Sequence, residues 1–162
     1  MAPEAHQIEL TMSEKKSLVC DWFQSLRDSI CAAFETVEDL AATSQKSAGR
    51  FERKSWIRDG GGGGEMSVMR GRVFEKVGVN ISTVFGSFAD DFKEHVLGAE
   101  IDGNFWASGI SLVAHMRNPH VPAAHMNTRF ISTSQSWFGG GGDLTPLLPD
   151  VKAAKAFHEV LK

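Results

Sequence analysis

Two runs of alternating side chains, parted by a short segment with two prolines, constrain this chain more than any other stretch. They lie between Gly109 and Arg129: Gly-Ile-Ser-Leu-Val-Ala-His-Met-Arg-Asn-Pro-His-Val-Pro-Ala-Ala-His-Met-Asn-Thr-Arg. Ile110 to His115 reads as a strand, so Ser111, Val113 and His115 face one way and Ile110, Leu112 and Ala114 the other. Asn118-Pro119 and Val121-Pro122 punctuate the strand and turn the chain between Met116 and Ala123. Ala124 to Ser132 suits a second strand, with His125, Asn127 and Arg129 on one face and Met126, Thr128 and Phe130 opposite. Paired as a hairpin, the two strands gather Ser111, His115, His125, Asn127 and Arg129. A hydroxyl, two imidazoles, an amide and a fixed cation make a site rather than a core.

Composition narrows the class. The 162 residues fit one domain, and 42% hydrophobic content is that of a globular chain. A net charge of −3 supplies no basic field for nucleic acid. No run approaches the roughly 20 apolar residues of a membrane helix. The opening MAPEAHQIELTMSEKK lacks the basic and apolar regions of a secretory signal, so Asn80-Ile81-Ser82 is a chance glycosylation match. Cys20 and Cys31 fall in one expected helix, about 16 Å apart along its axis, too far for a disulfide. They read as packing residues of a protein from the reducing cytoplasm.

In chain order, residues 1–12 read as a mobile tail and residues 13–162 as the domain. Leu18, Trp22, Leu26, Ile30, Ala33, Phe34 and Val37 recur at helical spacing between Ser13 and Thr43, with Ser13 as N-cap. Gln45 to Gly49 is a polar loop. Phe51 to Arg58 reads as a strand whose Trp56 is a packing residue. The five glycines Gly60 to Gly64 fit either a flexible turn or a backbone passing close to a large flat ligand. No Gly-Lys-Ser/Thr follows them, which excludes a phosphate loop. Glu65 to Lys76 and Val77 to Phe85 read as strands around a turn near Gly78. Arg70 and Arg72 share a face of the first, either solvated or an anion clamp.

Ala89 to Leu97 reads as a short helix, and Asp102-Gly103-Asn104 as the turn into the central hairpin. Gly139 to Gly142 reads as a pliable loop that delivers Asp143, a candidate functional carboxylate. Asp150 caps a last helix, Val151 to Lys162, with Val151, Ala154, Phe157 and Leu161 as its apolar stripe. The pattern is α+β: an antiparallel sheet of five or so hairpin-connected strands, flanked by helices.

Two chemistries suit the candidate residues. His115, His125 and His158 offer three imidazoles for a divalent metal, although their spacing matches no compact zinc motif. His95 and His120 read as surface residues. Alternatively, a His beside an Arg and an Asp moves protons near neutral pH. Ser111 lacks the strand–turn–helix elbow of an acyl-transfer nucleophile and reads as a hydrogen-bond donor. Arg129, with Arg58 or Arg117, suits ligand carboxylates.

Four blocks carry a resemblance: Phe51-x-x-x-x-Trp56-x-Arg58 with Gly60–Gly64; Val73-Phe74-Glu75-Lys76-Val77-Gly78-Val79-Asn80; Gly109 to Phe130; and Trp137-Phe138-Gly139-Gly140-Gly141-Gly142-Asp143-Leu144-Thr145-Pro146. In this order, over about residues 20–160, they resemble the oxygen-dependent coproporphyrinogen III oxidases. The resemblance implies a large antiparallel sheet flanked by helices, active as a homodimer. It implies oxidative decarboxylation of two propionates of coproporphyrinogen III to vinyls, giving protoporphyrinogen IX for heme synthesis. O2 is the oxidant, with no organic cofactor or redox metal required. Ser111, Asn127, Thr128 and Arg129 match substrate-binding positions. His125 matches the proton donor, and Asp143 the aspartate that meets pyrrole N–H groups. His115, His125 and His158 match positions assigned to a divalent cation in some members. One departure is Met116, where the family commonly has proline. The family continues well past Lys162, so the resemblance implies that this chain matches about its first half. Two further readings are a porphyrin-binding module without catalysis and an unrelated metal hydrolase built on the three histidines.

Overall fold

The computed structural model describes residues 9–41 and 47–162. The first eight residues of the expected tail, residues 42 and 43 at the end of the expected helix, and residues 45 and 46 of the expected 45–49 loop lie outside them. Helix α1 (Met12–Leu40) starts two residues earlier than its pattern predicted, because Thr11 rather than Ser13 caps it. The Glu14 N–H donates to Thr11 Oγ1 at 3.3 Å and the Thr11 N–H to Glu14 Oε2 at 2.8 Å, a reciprocal pair that occupies two orphan donors.

Six strands follow: β1 (Glu52–Ile57), β2 (Gly62–Met69), β3 (Phe74–Ser87), β4 (Asn104–Met116), β5 (Ala123–Ser132) and β6 (Ser136–Thr145). They form one antiparallel sheet in chain order. A single turn of helix, α2 (Asp90–Lys93), interrupts the β3–β4 connection, shorter than the 89–97 helix expected. Helix α3 (Val151–Val160) follows β6, and Asp150 caps it as predicted, its Oδ1 accepting from the Lys152 and Ala153 N–H groups.

The core lies on one side of the sheet. Val19, Phe23 and Cys31 of α1 pack on Met69, Phe74, Val77, Val79, Ile110, Ala114 and Phe130. The buried stripe of α1 is therefore rotated by about one residue from the expected one, and Trp22 is 59% exposed. Both 18/22 and 19/23 offer apolar pairs at helical spacing, and contact with β3 and β4 selects between them.

Glu38 locks the end of α1 to the sheet. Its fully buried carboxylate accepts from the backbone N–H groups of Gly49, Arg72, Val73 and Phe74 at 2.8–3.0 Å. Burial pushes its pKa up, and the four N–H donors more than reverse that, leaving it below its ordinary value. The Arg72 guanidinium returns a bond from Nε to the Glu38 carbonyl at 2.7 Å. Arg72 is thus neither a solvated residue nor an anion clamp. The approach needs Gly71, where a Cβ would lie 2.3 Å from the carboxylate.

This anchor corrects the predicted β2–β3 turn, which falls at residues 70–73. Gly78 sits inside β3, opposite Val68 and Val113. A second correction concerns the glycine runs. Gly62 to Gly64 open β2 and Gly139 to Gly142 belong to β6, paired residue for residue with β5. A backbone ladder satisfies glycine N–H and C=O groups as well as any others, and the neighbouring strand supplies it.

Candidate functional site

The face of the sheet opposite α1 is open, and the central hairpin puts its polar residues there. Register pairs Ser111 with Asn127, Gly109 with Arg129, Val113 with His125, and His125 in turn with Asp143. Residues paired across antiparallel strands share a face, about 5 Å apart. Ser111, His115, His125, Asn127 and Arg129 therefore stand together as the alternation predicted, and Asp143 joins them because β6 is a strand.

Two hydrogen bonds organise this patch. His125 Nδ1 lies 2.8 Å from Asp143 Oδ1, which also accepts from Thr145 Oγ1 at 3.3 Å. Donation from Nδ1–H to the carboxylate leaves Nε2 directed elsewhere as a proton carrier. The pair is half open to solvent, with side-chain exposures of 36% for His125 and 62% for Asp143. Arg129 Nη1 donates to Asn127 Oδ1 at 2.7 Å, which holds the guanidinium over the open face. Thr128 faces the core side opposite Ile110, so its contribution to the open face is main-chain.

Beside the patch lies a depression of about 560 Å³. Trp56 and Met66 wall one side, Arg129 and Asn127 the other, and Asn80, Ser82, Gly109 and Ser111 lie between. One row of the register reads Trp56, Gly64, Ser82, Gly109, Arg129, Gly139, so the floor between the indole and the guanidinium carries almost no side-chain bulk. Trp56 packs across Gly64, where a Cβ would meet its Cζ2 at 2.9 Å. The expected packing residue is thus a wall of the open face. Asn80, Ser82 and Met66 were missed, although Val77-Gly78-Val79-Asn80-Ile81-Ser82 alternates apolar and small or polar residues as the central hairpin does.

Other candidates fall elsewhere. Arg58 donates to the Phe85 carbonyl at 3.1 Å, and Arg117 to that of Gly71 at 2.8 Å, so neither converges with Arg129. His95 and His120 are exposed, as expected. The His115 and His125 rings are 6.0 Å apart, but His158 lines a separate cavity between α3 and β6 that it shares with Asp143. Among the described residues no three His, Cys, Asp or Glu gather as metal ligands.

The sequence pattern of the family described as Coproporphyrinogen III oxidase matches residues 18–162. A protein of Rickettsia bellii (strain RML369-C) named oxygen-dependent coproporphyrinogen-III oxidase is 55% identical over 150 residues, 92% of this chain and 54% of its own length. A protein of the same name from Rickettsia akari (strain Hartford) is equally similar over the same shares. This chain belongs to the coproporphyrinogen III oxidase family. It spans about half the length of the curated relatives it matches. The α+β fold with its antiparallel sheet is the one expected of a coproporphyrinogen oxidase, and the family match takes in the whole open face. Among the described residues no helix is long and apolar enough to cross a membrane.

Proposed function

We propose that this protein acts on coproporphyrinogen III, converting two of its propionates to vinyls with O2 as oxidant and yielding protoporphyrinogen IX. The observation that carries the reading is the uncovered face, where the His125–Asp143 and Asn127–Arg129 pairs border a floor of small side chains. The floor suits a broad macrocycle, and Arg129 suits one of its carboxylates. Each propionate loses its carboxyl carbon as CO2 and one hydrogen, as a proton, from the carbon attached to the pyrrole ring, which leaves the vinyl double bond. The two electrons pass to O2, which takes up that proton and another from solvent to give hydrogen peroxide.

Arg129, held by Asn127, orients the propionate that reacts, and Ser111 donates a hydrogen bond to the ligand. Asp143 fixes the His125 ring through Nδ1 and turns its second oxygen to a ring N–H. His125 delivers the proton from Nε2. The electron-rich porphyrinogen reduces O2 itself, so the reading uses no organic cofactor and no redox metal. It carries with it a homodimer and a cytoplasmic setting, in keeping with the two free cysteines.

A second reading is binding of the porphyrinogen without turnover, favoured by the exposure of the His125–Asp143 pair to solvent, which leaves its proton chemistry unshielded. One experiment separates the two. The chain is mixed anaerobically with coproporphyrinogen III, O2 is admitted, and CO2 and vinyl products are measured. Oxygen-dependent release of both supports catalysis, and binding without CO2 supports the second reading. Absence of binding overturns both.

A further inference from the structure

Asn80 carries an acceptor without a donor. Its side-chain Oδ1 is sealed from solvent and has no hydrogen-bond partner, yet it lies in the floor of the open-face depression. Register sets Asn80 opposite Ser111, and Ser111 opposite Asn127, so amide, hydroxyl and amide form one row across β3, β4 and β5. A buried acceptor left unpaired weakens a fold, and an apolar side chain of the same shape would not. The amide oxygen finds a partner only if the side chain turns it out into the depression.

The neighbour on the same face is Gly78, and its missing side chain leaves room beside the amide. A Cβ built there would sit 3.7 Å from Asn80 Nδ2. Rotating the amide about its last bond exchanges Oδ1 and Nδ2 and turns the carbonyl into that space. Asn80 lies in the row Met66, Asn80, Ser111, Asn127, so a ligand filling the depression between Met66 and Asn127 covers this point with its interior, not with its peripheral carboxylates. The centre of a porphyrinogen bears pyrrole N–H donors. Its saturated bridging carbons let each pyrrole tilt, so an N–H can point off the ring plane toward the floor. In the oxidised, planar porphyrin the inner hydrogens stay in the plane.

We infer that Asn80 is a substrate-binding residue that accepts a hydrogen bond from a pyrrole N–H of the bound porphyrinogen, and so selects the reduced macrocycle over the oxidised one. The inference rests on the proposed reading of the open face as a porphyrinogen site. The test uses the whole chain, anaerobic titration with coproporphyrinogen III and, separately, coproporphyrin III, and thermal melts of each variant. For Asn80→Leu, affinity for coproporphyrinogen III should fall about tenfold. Affinity for coproporphyrin III should stay within about twofold, with a melting midpoint equal to or above the wild type. Asn80→Asp, which keeps an acceptor and loses the donor, should retain coproporphyrinogen binding.

Unchanged binding by Asn80→Leu overturns the inference. So does an equal loss of both ligands with a lowered melting midpoint, which marks a structural role. Loss in Asn80→Asp as deep as in Asn80→Leu overturns the acceptor assignment. Wild-type chain that binds neither macrocycle removes the porphyrinogen reading itself, and the inference falls with it.

Discussion

Arg129 is useful because it is already tied down. Its hydrogen bond to Asn127 Oδ1 spends side-chain freedom before any ligand arrives, so less is lost on binding. Arg129→Lys keeps the charge but loses the planar fork, and affinity for coproporphyrinogen III should drop by about 1.5–3 kcal/mol in an anaerobic titration. Asp143→Asn tests a different step. It removes the carboxylate that sets the His125 tautomer, so oxygen-dependent CO2 release should fall far more than substrate affinity. A purely binding role for Asp143 would show the reverse.

Elements in this protein are joined at few points, and Glu38 is the clearest. Four backbone N–H groups from two loops converge on one carboxylate, so Glu38→Ala leaves buried donors unpaired and should cost about 3 kcal/mol or more in denaturant unfolding. The pH dependence follows from the lowered pKa. Stability from Glu38 is fully present above the unfolded-state value near about 4.3 and is lost as pH falls through the lower folded value. Melting midpoints should therefore drop as pH falls below about 4.3, and less so in Glu38→Gln, which has no proton to take up.

The glycine strand β6 makes an independent prediction. A Cβ on Gly141 meets nothing within 4 Å, whereas one on Gly140 would lie 2.5 Å from the Asn127 carbonyl. Gly141→Ala should hold or raise the melting midpoint, and Gly140→Ala should lower it.

Across the whole molecule, packing is one-sided and concentrated at the centre. α1 crosses β3 and β4, while β1 and α3 contribute no buried residue. Amides of β3 and β4 should exchange most slowly with deuterium, and those of α3 fastest. Coproporphyrinogen III should add protection in β4, β5 and β6, whose open faces carry Ser111, Arg129 and Asp143. Protection gained in α1 instead would place the ligand on the wrong side of the sheet.

Periodicity alone was enough for α1, the central hairpin and the capped α3, because each has a strong apolar repeat, a proline break or a side-chain cap. It was also enough for the open-face set Ser111, His115, His125, Asn127 and Arg129, since a period of two leaves no choice of face once the strands are drawn. Glycine runs defeated it. Gly62–Gly64 and Gly139–Gly142 have no side-chain pattern to read, and only a paired neighbour makes them strands. The turn at 70–73 and the stripe of α1 were likewise decided by distant contacts, the Glu38 carboxylate and the β3–β4 surface. The sequence by itself determined which residues share a face, because that is a property of local backbone geometry. Tertiary structure decided which face α1 buries, and that Trp56, Asn80 and Asp143 meet the hairpin on the other, because those positions depend on strand order and register between segments far apart in the chain.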